Sequence, residues 1–157
     1  MLYSRSAEYA IRALIRLAQV PAGEYALAKD IAAREDIPAH FLAKILQQLA
    51  REGWLRSCKG PNGGFRLRFP ASQISLLDIV GSLDTMLPYQ RCAAGLATCS
   101  ENAPCPMHES WSELQAHILA YLRDKTIADL ARVPETRSQG VPLRRRAAGM
   151  TPQEATA

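Results

Sequence analysis

No stretch of the 157-residue sequence approaches the ~20 consecutive apolar residues of a membrane-spanning helix. The opening MLYSRSAEYAIRAL is broken by charge where a secretory leader would be continuously apolar. A cytoplasmic protein with no membrane partner is therefore expected. The chain also lacks an internal repeat, a nucleophile elbow and any acid–base constellation of the kind that lines a substrate pocket, so neither an enzyme nor a small-molecule substrate is expected. Cysteine is scarce, with four in the chain, yet three of the four fall between positions 92 and 105. What remains is ordinary globular material: 48% hydrophobic and 22% charged residues, enough to close one core without disulfides and carry an appendage.

Charge is unevenly distributed. Residues 1–70 hold 11 Lys/Arg against 6 Asp/Glu, residues 71–131 hold 3 against 7, and residues 132–157 hold 5 against 2. A basic first half joined to an acidic second half points to a polyanion-binding part attached to a part with another job.

The basic half begins with a helix from about Ala7, with Ala10, Ile11, Leu14, Leu17 and Ala18 at helical spacing, Ser4 or Ser6 as N-cap, and Pro21-Ala22-Gly23 closing it. A short helix over residues 28–34 follows. Asp36-Ile37-Pro38 interrupts before a longer helix with Phe41, Leu42, Ile45, Leu46 and Leu49 on one face, stopped by Gly53. Short helix, turn and longer helix is the helix-turn-helix pattern, whose second helix enters the major groove of DNA. His40, Ala43, Lys44, Gln47 and Gln48 are the polar or small positions of that helix, and Gln and Lys carry the right donors for adenine and guanine edges.

The period then changes from helical to alternating. Trp54–Lys59 and Phe65–Phe69 read as two strands joined by Gly60-Pro61-Asn62-Gly63-Gly64, a basic hairpin in the position of a wing. Lys59 can reach a minor groove or a phosphate, with Asn62 at the tip and Arg56, Arg66 and Arg68 along the strands as further candidates. The glycine-rich tip lacks the Lys-[Ser/Thr] of a P-loop and leads into a strand, which argues against nucleotide binding. Cys58 beside Lys59 reads as a small, half-buried residue whose modification would touch DNA binding directly.

Ser75-Leu76-Leu77-Asp78 has the form of a capping box and opens a helix through Ile79, Val80 and Leu83 that ends by Pro88. From Tyr89 to Met107 apolar periodicity vanishes. Cys92, Cys99, Cys105 and His108 lie there as C-x6-C-x5-C-x2-H, four donors suited to soft or borderline metals in a loop with nothing else to organise it. A disulfide or three ordinary thiols are the alternatives, the first disfavoured in the cytosol. Spacings of five and six are wider than zinc knuckles and favour a loop around an iron–sulfur core over structural zinc. Trp111, Leu114, Ile118 and Tyr121 or Leu122 then form a stripe along a helix of about four turns. With no other long amphipathic helix in the chain, a second copy is the natural cover, which predicts a homodimer. Thr126 opens a last short helix, and the sequence beyond Val133 reads as a disordered tail.

A winged helix with KGPNGGF at its tip, followed by C-x6-C-x5-C-x2-H and a long helix, resembles the Rrf-type family of bacterial transcription regulators over about residues 1–132. Within that family it is most similar to the IscR-like and NsrR-like iron–sulfur branches. The resemblance implies a homodimer on a double-stranded DNA operator, with Cys92, Cys99 and Cys105 holding an iron–sulfur cluster, 2Fe–2S in preference to 4Fe–4S. His108 matches the fourth ligand of the IscR-like pattern, whereas the first gap is six residues here against the usual five. Glu8 stands where NsrR-like relatives use a carboxylate of the partner subunit, although a solvated carboxylate in the first turn of helix 1 explains it as well.

The expected fold is thus mainly α with a small β-hairpin wing. Its parts are a winged helix-turn-helix domain over residues 1–84, a cysteine-rich loop over 85–107, a dimerisation helix and short terminal helix over 108–132, and a tail over 133–157. The expected function is transcription regulation through an iron–sulfur cluster. Alternatives are the same regulator with structural zinc or thiol redox sensing, and a small iron–sulfur electron carrier, which would leave the basic half unexplained.

Overall fold

The computed structural model describes residues 2–60, 63–84, 91–97 and 99–132. Asn62, Pro88 and the tail over 133–157 lie outside these residues, as does part of the cysteine-rich segment. Helix α1 (Arg5–Ala18) starts where Ser4 Oγ accepts the Ala7 N–H at 3.2 Å. It buries Ala7, Ala10, Ile11, Ala13, Leu14 and Leu17, a stripe that repeats at i, i+3, i+4 and i+7 as the sequence requires. Helix α2 (Ala28–Glu35) ends with Asp36 in the left-handed region at φ 53°, which turns the chain into α3 (Ala39–Arg51). Gly53, at φ 90°, closes α3 as expected from its position.

The hairpin is shorter than the sequence suggests: β1 (Leu55–Cys58) pairs antiparallel with β2 (Gly64–Leu67), Leu55 opposite Leu67 and Ser57 opposite Phe65. Its other edge is anchored by a bridge the sequence did not announce. Ala26 and Phe65 exchange both backbone hydrogen bonds, at 3.0 and 2.8 Å. The strand passes so close that a Cβ on Gly64, itself at φ 143°, would collide with the Ala26 carbonyl. Glycine here is a steric requirement of the wing root.

A single 3-10 turn (Ala71–Gln73) leads to α4 (Leu76–Leu83), opened by the full Ser75/Asp78 capping box. Helix α5 (His108–Asp124) and the short α6 (Ile127–Ala131), with its own Thr126/Asp129 capping box, complete the described chain. Leu14, Ile31, Leu42, Leu46, Leu49, Ile74, Ile79, Leu122 and Ile127 are fully buried in one core. By area each such side chain contributes on the order of 1.5–3 kcal/mol.

Two polar arrangements fix how the elements sit. Glu35, buried at the end of α2, receives Arg12 on its carboxylate at 3.0 Å and on its backbone carbonyl, while the buried Arg16 donates to its other carboxylate oxygen. Helix α1 therefore grips the first helix of the helix-turn-helix by a charged pair that neither partner could bury alone. The last turn of α4 is shared three ways. Ser82 accepts the Trp54 indole N–H at 2.8 Å and, on its carbonyl, the Gln48 amide at 2.9 Å, while Asp84 accepts the Ser4 N–H at 2.9 Å.

Replacing Gly64 by Ala should lower unfolding free energy in urea by about 1–3 kcal/mol, the cost of a strained backbone position. Gly81→Ala, in an exposed α4 position with open space around it, should raise stability by about 0.5–1 kcal/mol. A Gly64→Ala protein as stable as the parent would contradict the packing of β2 on Ala26.

Candidate nucleic-acid interface and metal centre

A cleft of about 780 Å³ opens between the N-terminal ends of α2 and α3 and the hairpin. His40, Ala43 and Gln47 form its helical wall, and Ser57, Cys58, Lys59 and Gly60 its wing wall. His40, Ala43, Gln47 and Lys59, candidates on two separate elements in the sequence, thus line one cleft. Lys44 is exposed one helical turn beyond His40 on the same helix. Arg56 is exposed on β1 outside the cleft lining. Gln48 is turned to Ser82, and two arginines of the wing are engaged by their own chain. Arg66 lies 4.9 Å over Tyr25 and donates to the Gly23 carbonyl, and Arg68 lies 5.5 Å over Phe69.

Lys29 and Arg51 were missed by the sequence reading, although both line the cleft. Neither carried a sequence signal of its own: Lys29 shares the first turn of α2 with Asp30, whose carboxylate already answers the helix dipole. Neither α2, with Leu27 at its N-cap, nor α3, with Pro38, has a side-chain cap, so their first N–H groups open on the cleft beside Lys29 and His40. Among the described residues no carboxylate lines it. Two uncapped helix ends, two lysines and an arginine around one groove make a receptor for phosphate oxygens.

The second site is built from the 91–110 segment. Its described residues are all exposed except Cys92, Cys99, Cys105 and His108. Leu96 and Met107, the large apolar side chains of the segment, are 53% and 51% exposed. The loop thus turns its metal-ligating side chains inward while its two large apolar side chains stay in solvent.

The three thiol sulfurs lie within 4.8 Å of one another. Cys92 and Cys105 are 3.7 Å apart, and His108 Nδ1 is 3.2 Å from the Cys99 sulfur. A tetrahedral ion with ~2.3 Å metal–sulfur bonds separates two of its sulfurs by ~3.8 Å, so this donor set fits metal ligation in both chemistry and spacing. Backbone N–H groups of Leu96, and after burial those of Ala94, act on the Cys92 sulfur, and its thiol is held below the ordinary range. Cys99 goes the other way: the Cys105 backbone N–H favours its thiolate, but burial and the neighbouring thiols outweigh this and push it up. Cys58 lies apart from the group and is exposed on the wing, not half-buried as its alternating strand position suggested. Glu8 is likewise outside it, half-exposed and 4.0 Å from Arg12.

Helix α5 holds the stripe in a divided state. Leu114 and Tyr121 are 48% and 52% exposed, whereas Trp111 and Ile118 are half-buried against the chain's own core and Leu122 is fully buried. Tyr3 stands within electrostatic reach of Tyr121 and Glu8, its phenol pushed up by burial first and by those two groups after it.

The profile of the Rrf2 family, described as an iron-dependent transcriptional regulator, matches residues 3–133, and the chain belongs to that family. It is 34% identical over 137 residues to an HTH-type transcriptional regulator, so named, of Aquifex aeolicus (strain VF5), covering 86% of this chain and 94% of that one. It is 28% identical to the HTH-type transcriptional regulator IscR of Vibrio atlanticus (strain LGP32), covering 83% and 75%. Among solved structures it is similar to CymR, the global cysteine regulator of B. subtilis, with a TM-score of 0.71 at 24% identity over 83% of this chain and 96% of that one. The protein is thus a winged-helix transcription regulator and not an enzyme. Among the described residues no helix is long and apolar enough to cross a membrane.

Proposed function

We propose that the protein is a homodimeric regulator whose affinity for a double-stranded DNA operator is set by an iron–sulfur cluster held by Cys92, Cys99 and Cys105, with His108 as fourth ligand. The observation that carries this reading is the inversion of the 91–110 segment, in which those four side chains alone among the described residues are withdrawn from solvent. The family's description as an iron-dependent transcriptional regulator, and the likeness to the HTH-type transcriptional regulator IscR, support it. The donors form one close group: the three sulfurs lie within 4.8 Å of one another, and His108 Nδ1 is 3.2 Å from the Cys99 sulfur. Three thiolates and an imidazole are the mixed ligand set that the family resemblance associates with a 2Fe–2S core, which is the cluster proposed.

When bound, the cluster supplies a redox- and iron-dependent state of the loop. The chain's own residues do the rest. Cys92 and Cys105 hold the two limbs of the loop together, and His108, in the first turn of α5, links the loop to the helix that carries the exposed Leu114 and Tyr121. Those two side chains await a second copy of the chain, with Trp111 and Ile118 at the inner edge of that contact. On the DNA side, Gln47, Ala43 and Lys44 address base edges, and His40, Lys59, Lys29 and Arg51 address the backbone. If the two states of the loop differ in how they hold the reading head, operator affinity differs by their coupling free energy, typically about 1–3 kcal/mol or ~5–150-fold.

A second reading has its own observation. All three sulfurs within 4.8 Å also suit one tetrahedral ion with His108 as fourth donor, which is structural zinc. Anaerobic purification followed by iron, sulfide and zinc analysis separates the two. Iron and acid-labile sulfide with visible charge-transfer absorbance are expected, abolished by Cys92→Ala, Cys99→Ala or Cys105→Ala and retained in Cys58→Ala. One equivalent of zinc without sulfide would replace the cluster by the ion.

The Lys44→Ala, Lys59→Ala double variant should keep its metal content and dimer and bind a selected operator at least about tenfold more weakly, with the salt slope reduced by about 1–2. Unchanged binding at moderate salt would overturn the assignment of these lysines.

A further inference from the structure

The first turn of α5 holds both limbs of the cysteine loop. The trailing limb is joined to it by the chain itself and by the His108 N–H, which donates to the Cys105 carbonyl at 2.9 Å. The leading limb is joined by Trp111, whose indole Nε1–H donates to the backbone carbonyl of Arg91 at 2.6 Å. Arg91 immediately precedes Cys92. Thirteen positions separate Cys92 from Cys105, yet their sulfurs lie 3.7 Å apart. Among the described residues of the loop no large apolar side chain accounts for this, since Leu96 and Met107 face solvent. The local turn that closes on Cys92, Gly95 N–H to Cys92 carbonyl at 2.9 Å, orders the loop internally without attaching it to a helix.

We infer that Trp111 is a positioning residue for Cys92: its indole N–H fixes the backbone carbonyl next to the first thiol and so presents that thiol to Cys105. The inference rests on reading the cysteine group as the ligand set of this regulator, and it adds a part the stripe on α5 does not contain. As a member of that stripe Trp111 would only cover apolar surface, a task phenylalanine performs equally well. The hydrogen bond to Arg91 needs a donor at the ring edge, which phenylalanine lacks. Groups that orient a metal ligand without touching the metal commonly change affinity by about 10–100-fold when removed.

The test compares the full-length protein with Trp111→Phe, first free of metal and reduced. Limited oxidation with diamide joins two thiols as a disulfide, the reagent taking up the two protons and two electrons as its hydrazine. The parent should form mainly the Cys92–Cys105 disulfide, and Trp111→Phe should lower its share relative to other pairings several-fold. The second measurement is cobalt(II) affinity, read from thiolate charge-transfer absorbance, and is expected to fall by about 10–100-fold. Dimerisation by sedimentation should be retained. Disulfide pairing and cobalt affinity equal to the parent would overturn the role, including the case in which only dimerisation weakens. Should Trp111→Phe not fold, the parent still decides. Its Trp111 indole N–H must exchange slowly with solvent in the metal-free protein, as a bonded donor does, and free exchange would contradict the clamp. Failure of the iron–sulfur reading looks different: the parent would carry no iron or sulfide, while the diamide comparison would still separate the two tryptophan roles.

Discussion

The structure depends on an inversion in one segment. Between Arg91 and Ser110 the chain exposes its leucine and methionine and withdraws three thiols and an imidazole. Thiols bury readily, yet burial driven by apolar area alone would have taken Leu96 and Met107 before them. A metal centre would hold such a loop together, because thiolate and imidazole ligation couples to folding directly. The long helix begins at the last of these donors, so the geometry of the loop and the start of α5 are one problem with one solution.

The reading head is held by a different kind of interaction. Glu35 fixes α2 to α1 through two arginines, and Ala26 fixes the wing to the segment before α2 through two backbone hydrogen bonds. The last turn of α4 then ties together the N-cap of α1, the recognition helix and the wing root through Asp84 and Ser82. These polar contacts, embedded around the leucine-rich core, give the cleft its shape. Cations and uncapped helix ends fill its walls, and no carboxylate among the described residues opposes them. The two sites are therefore built by separate means, candidate ligand donors in one and backbone-anchored charge in the other.

Local signals were legible in the sequence because their physics is local. Ser75 with Asp78 and Thr126 with Asp129 are capping boxes by spacing alone, Gly53 is a helix stop by position, and the stripe from Ala10 to Leu17 could be nothing but an amphipathic helix. The inward cysteines and His108 were also readable, since no other side chains in that segment offer a reason for order. What sequence could not show were pairings across long separations. The bridge of Ala26 to Phe65, the capture of Gln48 by Ser82 and the indole of Trp111 on Arg91 each join residues whose types permit many partners. Periodicity assigned Trp111 to the exposed stripe because it records which face a residue occupies. A donor at the edge of a half-buried ring is invisible to it.

Regulation through the cysteine loop requires that the loop and the DNA cleft be coupled. The direct measurement is operator affinity of one protein preparation in two forms, as isolated anaerobically with its metal and after complete removal of the metal under reducing conditions, at the same salt and dimer concentration. A difference of at least about fivefold, the lower end of ordinary allosteric coupling, is the predicted result, and it should vanish in Cys105→Ala. Equal affinities for both forms, with both shown to be folded dimers, would contradict it and leave the loop as a structural fixture of a regulator controlled elsewhere.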